Sequence, residues 1–95
     1  MNTSEPPLVY DPATGRSDVF SGERLYATVT SACHVIGMAD GIIPETAARV
    51  CRAIETWLGE RAEVTRSDIR RRTSEQLAIM SAEAGYMLDN KNAIM

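Results

Sequence analysis

Apolar positions follow two kinds of spacing along this chain. Leu8-Val9-Tyr10 and Val19-Phe20 are short β-prone runs on either side of Asp11-Pro12-Ala13-Thr14-Gly15. In that segment Pro12 fixes φ and Gly15 supplies a positive φ, which is the chemistry of a tight turn. The expectation is a two-stranded hairpin, marginal by itself and obliged to pack on something else. From Ser21 onward the spacing changes to three and four. Leu25, Val29, Ala32 and Ile36, with Cys33 beside them, form one helical stripe, with Ser21 as its N-cap and Gly37 as its C′ stop.

Met38 to Ile43 then links across, with Asp40-Gly41 as the turn. Pro44 and Glu45 suit the first turn of a second helix, whose stripe is Ala47, Val50, Cys51, Ile54, Trp57 and Leu58 and which Gly59 ends. Val64-Thr65-Arg66-Ser67-Asp68 reads as a strap followed by a capping signal, with Thr65 as the cap and Asp68 at the positive end of the dipole. Ile69, Thr73, Gln76, Leu77 and Met80 share one face of the third helix, and Ser81 to Gly85 interrupts it. A fourth helix carries Ala84, Met87 and Leu88 inward and frays toward Met95. The predicted fold class is α+β, a short N-terminal β-hairpin packed on a mostly helical four-helix cluster. Residues 1–7, polar and proline-bearing, are expected to be a disordered tail, and residues 8–95 a single domain.

Composition agrees with helix packing. Only five of the 95 residues are aromatic, so the core has to come from Ala, Leu, Ile, Val and Met. A hydrophobic content of 44% beside 24% charged residues is ordinary for a globular chain. The net charge of −3 argues against broad nucleic-acid binding, but the charge is uneven. Seven of the ten basic residues lie between Arg49 and Arg72, a stretch of local charge +3, while the rest of the chain is −6. That pattern allows a local anion site and no DNA-coating surface. No apolar run approaches a membrane span, and the polar N-terminus lacks the apolar core of a signal peptide. The expected compartment is the cytoplasm, with Cys33 and Cys51 as reduced, buried thiols.

Few residues suggest chemistry. Arg70-Arg71-Arg72 fan through about 200° on a helix, so they form no single patch, and the expectation for Arg71 is a solvated face. Cys33 and His34 are adjacent and point about 100° apart, too far to share a metal or nucleophile site. Trp57 is expected as an anchor at the core edge. The six glycines never cluster into a phosphate loop, and one histidine with scattered carboxylates assembles no catalytic constellation. The expectation is a protein that is not an enzyme and holds no metal of its own.

The hairpin that runs straight into a helix is the chain's most informative stretch. Gly15-Arg16-Ser17-Asp18-Val19-Phe20-Ser21, with Leu8-Val9-Tyr10 before it and Gly22-Glu23-Arg24-Leu25 after it, resembles the opening of the ATP-cone domain. That domain is a nucleotide-binding regulatory module of ribonucleotide reductases and their repressor. Val64-Thr65-Arg66-Ser67-Asp68-Ile69 looks like the opening of its third helix, and Ala84-Gly85-Tyr86 resembles part of its last. The likeness covers roughly Leu8 to Lys91. One departure stands out: Tyr10-Asp11 occupies the place of the family's Lys-Arg pair, and Pro12-Ala13-Thr14 lengthens the turn.

The resemblance implies a purine nucleotide, ATP or dATP with Mg²⁺, surrounded by Val9, Arg16, Asp18, Ser21, Arg24, Arg66, Arg70 and Lys91. Asp18 would accept from sugar or base, Ser21 would line the pocket, and the cations would hold phosphates. It further implies action on a protein partner or through a homo-oligomer, in trans or as an excised regulatory piece. The missing Lys-Arg pair supports an alternative, an interaction module of the same shape that binds no ligand. A third reading takes Pro44 to Gly59 and Arg66 to Met80 as a helix-turn-helix for DNA, against the chain's acidity and the long connection between them.

Overall fold

A computed structural model describes residues 6–59 and 61–90. Its elements in chain order are β1 (Leu8–Asp11), β2 (Arg16–Val19), α1 (Gly22–Val35), α2 (Ile43–Leu58), β3 (Glu63–Thr65), α3 (Arg66–Met80) and α4 (Ala82–Asn90). The fold is α+β with an N-terminal hairpin, as the spacing predicts.

The turn forms for local reasons. Asp11 Oδ1 accepts from the Ala13 N–H at 3.0 Å, and the Asp11 carbonyl accepts from the N–H groups of Thr14 and Gly15 at 3.2 and 2.8 Å. Gly15 has φ 73°, a conformation that costs any side-chain-bearing residue more. β2 ends at Val19, one residue earlier than the apolar run suggests. Phe20 leaves the strand, donates its N–H to the Pro7 carbonyl at 2.9 Å and packs against the core.

The Val64 strap is a third strand, which corrects the two-stranded expectation. β3 pairs parallel with β1 in the register Val9↔Val64 and Tyr10↔Thr65, so the sheet order is β2-β1-β3. A three-residue strand carries too little pattern to announce itself; pairing to a distant segment makes it one. Val64 is buried, and this edge ties the hairpin to the start of α3.

The helix ends follow the sequence closely. Ser21 accepts from the Arg24 N–H at 3.2 Å, and Thr65 accepts from the Asp68 N–H at 3.1 Å. At the end of α1, the Gly37 N–H reaches the His34 carbonyl and the Met38 N–H reaches the Cys33 carbonyl, both at 3.0 Å. With Gly37 at φ 78°, this is the Schellman pattern. α2 has no side-chain cap and starts with proline in its first turn. Val29, Ala32 and Cys33 of α1 meet Ala47, Val50 and Ile54 of α2, Leu77 of α3, and Ala84 and Leu88 of α4 in the core.

α3 departs from its predicted face. Ile69, Thr73, Ser74 and Leu77 are buried, whereas Gln76 is half-buried and Met80 exposed. The cause is α4, which folds back after a single residue rather than after a five-residue break. Ser81, extended at φ −157°, donates its N–H to the Leu77 carbonyl and accepts from the Ala84 N–H, ending one helix and capping the next. Ser74 Oγ then donates to the Gly85 carbonyl at 2.8 Å. A Cβ on Gly85 would lie 2.7 Å from both Ala78 Cβ and the Ser74 carbonyl oxygen, so the crossing needs glycine. This contact turns the Ser74 side of α3 inward.

Candidate functional site

A cleft of about 320 Å³ opens between the hairpin, α1 and the start of α3. The strand pleat supplies one wall. Val9 and Asp11 lie two residues apart on one face of β1, and Asp18 directly opposes Val9 on β2, so all three share that face. α1 supplies the second wall with Ser21, Arg24, Thr28 and Ser31, spaced as one helical stripe beside the buried Leu25. Arg66 and Ile69, from the first turn of α3, close the third side. The floor is apolar, built from Val9, Phe20, Leu25 and Ile69, and the rim is polar.

Five of the eight predicted nucleotide-contacting residues line this one cleft: Val9, Asp18, Ser21, Arg24 and Arg66. Arg16 does not. It begins β2 at the hairpin tip, opposite Asp11, and is exposed outside the cleft wall. Arg70, half-buried one turn beyond Arg66, is not a wall residue either; the α3 residue that lines the cleft with Arg66 is Ile69. Lys91 lies outside the described residues.

Sequence reasoning missed Thr28 and Ser31 as cleft residues. The signal for these two was present, because 21, 24, 28 and 31 form a polar stripe flanking the apolar one on α1. Asp11, which the resemblance puts in the place of the family's Lys-Arg pair, does line the cleft, and its carboxylate also holds the Ala13 N–H of the turn.

Apart from Asp11, the charged groups of the cleft are uncommitted among the described residues. Among the described residues, the side chains of Asp18, Arg24 and Arg66 make no hydrogen bond or ion pair with one another or with neighbours. Ser21 already caps α1, and Thr28 Oγ1 donates to the Arg24 carbonyl at 2.9 Å, which leaves its lone pairs for an incoming donor. The arrangement can hold an anion on two guanidiniums and accept hydrogen bonds on two carboxylates over an apolar base.

The other arginines behave differently. Arg49 pairs with Glu45, Arg71 with Asp68 and Arg72 with Glu75, at 3.9, 3.7 and 3.5 Å. The guanidiniums of Arg61 and Arg72 also approach the Trp57 ring, 5.0 and 5.3 Å from its centroid, at the core edge where Trp57 was expected. A smaller hollow of about 210 Å³ between α2 and α3 has Arg49 as its charged wall residue. Cys33 is buried and His34 exposed, with Nδ1 3.7 Å from Asp40, so the adjacent pair does not converge.

Comparison with protein-family models, with curated proteins and with solved structures finds no match for this chain. No helix among the described residues is long and apolar enough to cross a membrane.

Proposed function

We propose that this chain is a non-catalytic regulatory module that binds a purine nucleotide in the cleft between the hairpin and α1, and that binding alters its association with a partner. One observation carries the reading: Asp18, Arg24 and Arg66, three charged side chains without a described protein partner, line the same apolar-floored cleft. Concave sites with an apolar base and a few convergent polar groups are where small molecules bind. The likeness of Gly15 to Leu25 to the ATP-cone opening supplies the nucleotide.

Thermal melting with excess ATP or dATP plus Mg²⁺, and with AMP, tests it. A ligand at 100 times its dissociation constant adds roughly 2.7 kcal/mol, a shift of several degrees for a domain of this size. Arg24→Ala and Arg66→Ala abolish the shift on this reading. A folded sample that none of these nucleotides shifts would sink it.

A second reading has its own observation. Leu8 and Val19 oppose each other across the hairpin and remain 43% and 59% exposed, although Val19 also borders the cleft. They favour an interaction module, for which no nucleotide shifts the melt and molecular mass rises with protein concentration. Against the helix-turn-helix reading stand β3 in the connection between α2 and α3 and the pairing of Arg71 and Arg72 with acids.

A further inference from the structure

The cleft wall carries two arginines and two aspartates, so its formal charge is zero among the described residues. That balance says something about the ligand. Asp11 is not free to swing aside: Oδ1 holds the Ala13 N–H at 3.0 Å, and its carbonyl holds the turn. Asp11 and Arg66 line the same cleft. Tyr10 pairs with Thr65 in the parallel register, so Asp11 and Arg66, the next residue on each segment, leave the sheet at the same level. Arg16 opposes Asp11 from β2 on the same face of the hairpin, but it is not among the residues that line the cleft and is exposed to solvent at the hairpin tip.

We infer that the cleft selects a nucleoside monophosphate over the corresponding di- and triphosphate. This rests on the nucleotide reading above and narrows it. One phosphate carries a charge of about −1.5 to −2, which Arg24 and Arg66 match. Every further phosphoryl group adds negative charge with no third cation in the described wall, and does so beside the fixed Asp11 carboxylate. Like charges held a few ångströms apart repel strongly where water is partly excluded. Asp18, an acceptor only, stands opposite Val9 and takes hydrogen bonds from the hydroxyls or amino groups of the nucleoside end.

Calorimetric titration of AMP, ADP and ATP in Mg²⁺-free buffer decides it, repeated on Asp11→Asn. The substitution keeps the acceptor for the Ala13 N–H and removes only the charge. Affinity is expected to fall from AMP to ADP to ATP, by about tenfold or more overall, and D11N is expected to close most of that gap by tightening ATP. D18N, at an exposed position, serves as a second variant and is expected to weaken AMP. Equal or tighter binding of ATP, or a gap that D11N leaves unchanged, overturns the inference while leaving the nucleotide reading intact. ATP that binds only with Mg²⁺, and only with Asp11 present, overturns it too, because Asp11 would then be a metal ligand. If none of the three binds a folded sample, both readings fall together.

Discussion

Two groups of arginines in this small protein have opposite circumstances. Arg49 of α2, Arg71 and Arg72 of α3, and Arg61 in the link between α2 and β3 are spent on near neighbours: acids three or four residues away, the Trp57 ring, or the Trp57 carbonyl, to which Arg61 Nε donates at 3.1 Å. Arg24 and Arg66 face a cleft and have no such partner among the described residues. The run of positive charge between Arg49 and Arg72 therefore marks mostly a solvated, self-paired face. What distinguishes a candidate ligand cation here is the absence of a helical partner at three or four residues, combined with a concave wall.

The severest test removes the contact on which both regions depend. α3 carries Arg66 to the cleft at its first turn and Arg72 to Trp57 two turns later, and α4 clamps it through Gly85. Gly85→Ala would press a methyl group to 2.7 Å from Ala78 Cβ and the Ser74 carbonyl oxygen. The expected loss is about 3 kcal/mol, at the upper end for overpacking, read as a drop in the denaturation midpoint. A neutral G85A would mean that α4 is not packed on α3 as described.

The next test separates the regions. Arg66→Ala and Arg24→Ala remove exposed side chains without described partners, so the unliganded protein should change by no more than about 0.5 kcal/mol. The ligand-induced shift, up to roughly 2.7 kcal/mol at saturation, should vanish. Arg72→Ala should do the reverse, costing about 1 kcal/mol through the lost ring contact and the Glu75 pair while leaving ligand binding unchanged. Chemical denaturation of the three variants, with and without AMP, reads both effects. If R72A weakens the ligand as much as R66A does, the contrast between the two faces is wrong.

How much of this was legible depended on how local the cause was. Ser21, Thr65 and Gly37 do what their residue types suggest, because caps and stops involve only neighbours within one turn. The stripes of α1 and α2 are equally local. β3 was invisible because three residues become a strand only when β1 offers its edge. The inner face of α3 was misjudged because Gly85, well beyond it in sequence, decides which side is covered. At the cleft, the family likeness carried Val9, Asp18, Ser21, Arg24 and Arg66, and all five line one wall. Thr28 and Ser31 were passed over although they share a stripe with Ser21 and Arg24, since small polar residues on a helix look like surface until something stands opposite them.

The mildest test uses pH to touch neither face. Between pH 7 and 9 it acts on Cys33 and Cys51, buried in the core where α1 meets α2 and away from both faces. Burial pushes both thiols above their ordinary range, and Glu55 adds to the effect at Cys51. The unfolded chain ionises its thiols first, near pH 8.5, while the folded chain keeps them neutral. Stability from this source is therefore complete at lower pH and is lost as the pH rises toward the folded values. The expected loss is roughly 0.4 kcal/mol per thiol at pH 8.5, and Cys51→Ala should flatten part of the slope. AMP affinity, set by Arg24, Arg66 and the two aspartates, should stay level across the same range. An affinity that falls along with stability would mean that the core and the cleft are coupled, and the charges at the rim would then be only part of what holds the ligand.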